Sequence, residues 1–247
     1  KSIYLMEYLN ILSNELLMSY EYLYRIVILG DSAVGKTTFM NKYIANKNFK
    51  IAPVPTVGID FGSKIIDGPD NRKIKIHLWD TSGNKNYRKI AECYFRGVAG
   101  AVLMYNISSR KSFESLADWI KDFRFINNYT DLPLFLLGTD VGGKRLVAAL
   151  EGIKFAKENN MFFSEIDLTD ERESTSDILS PLWNEIWYKY IKMDNLCLGI
   201  KKFDILHSDK VKVETAPPPP PPPLWKRVTN ELREHKNDIV SGPCIIT

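Results

Sequence analysis

One short run constrains this chain more than anything else in it. Gly30-Asp31-Ser32-Ala33-Val34-Gly35-Lys36-Thr37 fits the pattern Gly-x-x-x-x-Gly-Lys-Ser/Thr at every fixed position. It follows the apolar segment Tyr24–Leu29 and precedes the helix-like stretch Thr38–Ala45, so the pattern sits where a strand–loop–helix unit needs it. In such a unit the two glycines let the backbone wrap closely around phosphates. The amides of Ser32, Ala33, Val34 and Thr38 then point at the anion from the loop and the helix start. Lys36 would reach the β- and γ-phosphates, and the Thr37 hydroxyl would sit on Mg²⁺. A nucleoside triphosphate is the expected ligand.

With 247 residues, 45% hydrophobic and 12% aromatic, the chain can build one substantial core. A net charge of +3 from 33 basic and 30 acidic residues is too balanced to make nucleic acid the main partner. Cys93, Cys197 and Cys244 show neither a pairing pattern nor metal-ligand spacing, which favours a reduced, cytoplasmic setting. No apolar stretch reaches membrane-spanning length.

Three segments are expected. Residues 1–20 form an extension whose apolar residues recur near helical spacing, suited to packing on the domain or on a partner rather than on a membrane, because basic residues are almost absent; Met18 is an alternative start. Residues 21–193 form the domain. Strand candidates Tyr24–Leu29, Ile59–Ile66, Ile74–Trp79, Gly100–Tyr105, Leu134–Gly138 and Phe162–Ile166 alternate with helical stretches, which predicts an α/β fold with a mainly parallel sheet. Asp67-Gly68-Pro69-Asp70 leaves no room for a helix, so the second and third strands should form an antiparallel edge hairpin. Residues 194–247 read as a flexible tail containing the polyproline run Pro217–Pro223.

From about Glu21 to Tyr190 the sequence resembles a small GTPase of the Ras superfamily, nearest the Rab family. The matching residues after the P-loop are Pro55-Thr56-Val57-Gly58-Ile59-Asp60-Phe61, Trp79-Asp80-Thr81-Ser82-Gly83, Tyr94-Phe95-Arg96-Gly97, and Ser112-Phe113 with Trp119. The resemblance implies a six-stranded, mainly parallel sheet with helices on both faces and one antiparallel edge strand. It implies GTP or GDP with Mg²⁺, and effector, exchange and activating proteins as partners. Thr56 would bind Mg²⁺ and sense the γ-phosphate, Asp80 would hold Mg²⁺ through water, the Gly83 amide would meet the γ-phosphate, and Phe49 would lie over the base. Taken singly these are a turn hydroxyl, a strand-end cap and core aromatics. Spacing relative to Lys36 favours the functional roles of Thr56 and Asp80, whereas Trp119 is assigned to the core.

The departures from the family pattern matter as much. Asn84 stands where the family places the water-orienting glutamine; it keeps the amide but is a methylene short, which predicts slow hydrolysis. Lys36 and Asn84 are the candidate catalytic residues. The family reads guanine with Asn-Lys-x-Asp, but this chain has Thr139-Asp140-Val141-Gly142, with glycine in place of the base-binding carboxylate. The second base loop, Ser-Ala-Lys in the family, falls within Ile166-Asp167-Leu168-Thr169 and is lost in either register. A charge-assisted contact contributes about 1.5–3 kcal/mol, so guanine binding should weaken by roughly tens- to thousands-fold. Thr139 and Asp140 remain candidate base-side residues, and Asp140 or Asp167 could compensate from a shifted backbone. The phosphate half is intact and the base half degraded. A Rab-like switch and a pseudo-GTPase scaffold with weak or relaxed nucleotide specificity are both open, as is a phosphohydrolase of relaxed base choice.

Cys244-Ile245-Ile246-Thr247 fits the C-a-a-X prenylation signal, which would place the protein on the cytoplasmic face of a membrane with a cytosolic pool. One prenyl chain anchors only marginally, so a second signal is needed, for which the tail lysines are candidates diluted by acids. Pro217–Pro223 is either a semi-rigid spacer or a ligand for an SH3, WW or EVH1 domain.

Overall fold

A strand hidden on both faces needs apolar residues at odd and even positions alike. Tyr22-Leu23-Tyr24-Arg25-Ile26-Val27-Ile28-Leu29 meets that requirement except at Arg25, and it forms β1 (Tyr22–Leu29), buried along nearly its whole length. The computed structural model describes residues 20–45, 56, 58–84, 92–128, 131–170, 172–194 and 197–203. The extension before residue 20, Phe49, Pro217–Pro223 and Cys244 lie outside the described residues.

β1 lies between β3 (Lys73–Thr81) and β4 (Gly100–Asn106), parallel to both. With β2 (Ile59–Asp67), β5 (Leu134–Asp140) and β6 (Met161–Asp167) the order is β2-β3-β1-β4-β5-β6. Only β2 runs antiparallel in this row, paired with β3 from Ile59 opposite Thr81 to Asp67 opposite Lys73. The connecting turn closes through the Gly68 amide donating to the Arg72 carbonyl at 2.8 Å. This is the hairpin expected at Asp67-Gly68-Pro69-Asp70.

The crossovers are α1 (Lys36–Ala45), α2 (Arg110–Glu114), α3 (Leu116–Ile126), α4 (Ala149–Glu158) and α5 (Ser180–Ile186), the last running into a π-helical turn over Trp187–Lys192. α1 and α5 meet where the Trp183 indole N–H donates to the Tyr43 hydroxyl at 3.1 Å, and the π-helical turn meets β1 where Trp187 sets its ring edge-on to Tyr22. α3 contributes the fully buried Trp119, and its Phe123 packs on Phe95. Truncating a buried aromatic such as Trp119 to alanine typically costs about 3–5 kcal/mol.

One strand falls outside the expected plan. β7 (Ile200–Lys202) pairs antiparallel with Tyr22–Tyr24, on the length of β1 that β4 leaves uncovered, since β4 pairs only from Ile26 onward. The Phe203 amide extends the ladder to the Glu21 carbonyl at 2.8 Å. The six expected strands form the row, and among the described residues a short seventh, after residue 193, pairs with β1 off that row. Its cause is backbone satisfaction. The Glu21 carbonyl and Arg25 amide receive partners from Phe203 and Gly199, groups that burial would otherwise leave unpaired.

Candidate functional site

The P-loop leaves β1 and enters α1 along a path that requires glycine at both ends. Gly30 has φ +144°, and a β-carbon there would lie 2.3 Å from the Met104 carbonyl oxygen. Gly35 has φ +86°, and a β-carbon would lie 2.6 Å from Leu168 Cδ1. Ala33 also adopts a left-handed conformation, φ 63°, at a cost on the order of 1–2 kcal/mol for a residue with a β-carbon. Ser32 and Ala33 are exposed at the tip, while Val34 and Thr38 are buried.

Lys36 is only 6% exposed. Its ammonium donates to the Gly30 carbonyl at 2.9 Å and the Asp31 carbonyl at 2.7 Å, which holds it inside the curl of the loop. Burial pushes its pKa down to about 8, opposed by the negative charges of Asp80 and Asp31. A cation desolvated in this way gains from an anion brought beside it.

Thr37, Thr56 and Asp80 come from three distant parts of the chain and converge. The Thr37 hydroxyl lies 2.7 Å from that of Thr56 and donates to Asp80 Oδ2 at 2.5 Å; Thr56 donates to the same oxygen at 3.3 Å. Asp80 is fully buried, and its other oxygen, Oδ1, has no partner among the described residues. Desolvation raises its pKa, opposed by Lys36 and by the two hydroxyls. A buried carboxylate with one orphan oxygen beside two hydroxyl oxygens is an all-oxygen donor set, which suits a hard divalent cation such as Mg²⁺. These three residues would hold it.

Gly83 rests directly on the P-loop: a β-carbon there would lie 2.2 Å from the Asp31 carbonyl carbon and the Ser32 nitrogen. The segment leading to it is fixed by the Thr81 hydroxyl donating to the Ile28 carbonyl at 2.8 Å and the Ser82 amide donating to the Gly58 carbonyl at 3.0 Å. Asn84 follows at an exposed position, its backbone N–H donating to Ser82 Oγ at 3.4 Å.

The base side is arranged differently. Thr139 is fully buried, with its hydroxyl 2.7 Å from the Val34 carbonyl and 2.9 Å from that of Tyr105. It ties the P-loop to the ends of β4 and β5. Asp140 Oδ1 accepts from the Gly142 amide at 2.8 Å, and Gly142 and Gly143 have φ +93° and +129°. Asp167 Oδ1 accepts from the Thr169 amide at 2.7 Å and hydroxyl at 2.5 Å, and from the Asp170 amide at 3.2 Å. Those bonds, the Thr169 hydroxyl first, hold its pKa below the usual carboxylate range. Behind this loop the buried Lys42 donates to the Asp170 carbonyl at 2.6 Å. One oxygen of each carboxylate, Oδ1, is thus engaged by its own loop.

Two features escaped sequence reasoning. The Asp31 side chain accepts from Ser115 and Trp119, so this Trp119 is a hydrogen-bond donor to the P-loop as well as a core aromatic. An acid inside a phosphate-cradling loop was the available signal. The second is a row of aromatic rings beside the metal-side residues: Phe61 packs on Trp79 at 4.8 Å between centroids, Trp79 on Tyr94 at 5.4 Å, and Arg25 lies over the Trp79 ring. Phe61 is 45% exposed. Adjacent His77 is held down to about 4, by burial first and then by Lys75, Arg25 and Lys201.

A family model described as "Ras family" matches residues 25–188. The chain belongs to the Ras family. Among curated relatives it is 38% identical over 186 residues to the Ras-related protein Rab-11B of Dictyostelium discoideum, covering 74% of this chain and 82% of that protein. It is 33% identical over 180 residues to the Ras-related protein RABA4c of Arabidopsis thaliana, covering 71% and 78% respectively. Within the Ras superfamily the chain is a small GTPase of Rab type.

Proposed function

We propose that this chain is a membrane-associated, nucleotide-dependent switch of vesicle trafficking or signalling that binds a nucleoside triphosphate with Mg²⁺ and hydrolyses it slowly. The convergence of Lys36, Thr37, Thr56 and Asp80 carries this reading, because it assembles one cation and three oxygen donors around the end of the P-loop. Bound Mg²⁺ would neutralise charge on the β- and γ-phosphates. Lys36 would exchange two carbonyl partners for phosphate oxygens and stabilise charge on the transferred group. Gly83, seated on the Asp31–Ser32 peptide, would shift when a γ-phosphate enters, and Thr56 would follow through its bonds to Thr37 and Asp80. Asn84 would position the attacking water from one methylene too far away. The neighbouring aromatic row would carry the change to an effector, since the exposed Phe61 edge lies on the same hairpin as Asp80.

No helix among the described residues is long and apolar enough to cross a membrane. Attachment is assigned to prenylation of Cys244, with a cytosolic pool, and Pro217–Pro223 to a stiff spacer or an SH3-, WW- or EVH1-type ligand. A second reading rests on the base loops. With Asp140 and Asp167 engaged locally and Gly142 in place of a carboxylate, the chain would hold nucleotide with weak or relaxed base choice and act as a scaffold. Titration of the purified protein with GTP, ATP and XTP in Mg²⁺, with mass spectrometry of co-purified nucleotide, separates the two. Binding of all three within about thousandfold, roughly 4 kcal/mol, is expected; a larger preference for GTP refutes the degraded base site.

A further inference from the structure

A carboxylate in a loop that cradles phosphates repels them unless something turns it away. Asp31 is turned away. Its Oδ2 accepts from the Ser115 hydroxyl at 2.6 Å and its Oδ1 from the Trp119 indole N–H at 2.9 Å. Ser115 is the joint between α2 and α3, closing the first and opening the second, and Trp119 stands one turn further on. Residues at i and i+4 share a helix face, so the two donors converge on one carboxylate, each with its own oxygen. Both bonds are charge-assisted and stronger than neutral ones. Trp119 is fully buried, which fixes the position of its donor.

The rest of the same residue faces the phosphate site. The Asp31 carbonyl receives the Lys36 ammonium at 2.7 Å, and the Asp31–Ser32 peptide is the surface on which Gly83 rests. One residue therefore joins three parts: the α2–α3 joint through its side chain, the phosphate-binding lysine through its carbonyl, and the segment after β3 through its peptide plane. We propose that Asp31, held by Ser115 and Trp119, is a positioning residue that clamps the P-loop to the α2–α3 joint and thereby slows release of bound nucleotide. This rests on the nucleotide-binding reading above. Rotation of Asp31 off its two donors would swing negative charge toward the phosphates and tilt the carbonyl that seats Lys36, and both changes favour departure of the ligand.

The test is release of fluorescently labelled GDP and ADP, as Mg²⁺ complexes, from the full chain. The proteins are the wild type, Trp119→Phe, Ser115→Ala, Asp31→Ala and the two double variants with Asp31→Ala. Trp119→Phe keeps an aromatic ring in the core and deletes only the N–H donor. Trp119→Phe and Ser115→Ala should each speed release about tenfold, the effect of losing one charge-assisted bond. Neither should speed it further in the Asp31→Ala background. A merely structural contact would lower the thermal midpoint of the nucleotide-free protein and leave the release rates unchanged, and that result overturns the proposal. So do equal effects in the wild-type and Asp31→Ala backgrounds. Should Trp119→Phe fail to fold, the cycle between Ser115→Ala and Asp31→Ala gives the answer by itself. A wild type that binds neither nucleotide refutes the nucleotide-binding reading and the clamp together, whereas binding with unaffected release refutes the clamp alone.

Discussion

Placing a carboxylate at residue 142 is the obvious repair of the base site, and the structure says what it should cost in stability. Space is not the obstacle, since the nearest atom to a β-carbon on Gly142 is Thr169 Cγ2 at 3.9 Å. The backbone is. Gly142 sits at φ +93°, pinned by its amide donating to Asp140 Oδ1 at 2.8 Å, and a side chain there costs about 1–2 kcal/mol. A charge-assisted contact to the base returns about 1.5–3 kcal/mol. The strain is carried whichever base is bound, so it lowers stability and leaves the preference to the contact: Gly142→Asp should raise the preference for GTP over ATP by roughly ten- to a hundredfold. Gly142→Ala carries the strain without the carboxylate and isolates the contact by difference. Nucleotide titrations would be paired with thermal midpoints of the nucleotide-free proteins, which should fall by about 2–8 °C in both variants for a domain of this size. A thousandfold gain in guanine preference with no loss of midpoint would refute the reasoning, because the loop would then accept a side chain without strain.

Three further outcomes are expected. Asn84→Gln should raise single-turnover hydrolysis of bound nucleotide about tenfold, near 1.4 kcal/mol of barrier, without changing affinity, and an unchanged rate would mean that residue 84 does not set the position of the water. His77 titrates near 4 in the folded chain and near its ordinary 6.5 when unfolded, so between those values the unfolded chain binds the extra proton and stability falls as pH is lowered. The thermal midpoint of the wild type should therefore drop more steeply from pH 6.5 to 4 than that of His77→Gln, and parallel profiles would contradict this. Cys244→Ser should move the protein from the membrane fraction to the cytosol, and unchanged fractionation would assign the anchor to another segment.

What the sequence made legible was whatever repeats along a strand or sits at fixed spacing. The continuous apolar run of β1, the alternation along β3 and the turn after Asp67 are local patterns, and the structure forms each where the pattern predicts it. β7 has three residues, of which only Ile200 is buried, so it carries no period to detect; the pairing is imposed by the free edge of β1. The bonds from Asp31 to Ser115 and Trp119 span more than eighty positions and rest on shape, not spacing. At Gly142 the missing carboxylate was visible, but the positive φ was not, and that angle is what makes restoring a side chain costly in stability.

Thr139 shows why the two halves of the site can part company. Its hydroxyl serves the Val34 and Tyr105 carbonyls, and leaving such buried groups unpaired costs about 1–3 kcal/mol whether or not a base is ever read. Val141 and Leu168, also in the altered loops, lie against Gly35 and fill the space beneath the start of α1. The altered loops thus still carry out the structural share of the work, supporting the P-loop from below, while glycine stands at residue 142, where the family pattern places the base-binding carboxylate. A well-formed phosphate cradle in this chain is therefore evidence for binding phosphate and gives no information about the base. Guanine preference must be measured on the base itself, by varying the base at constant triphosphate and Mg²⁺.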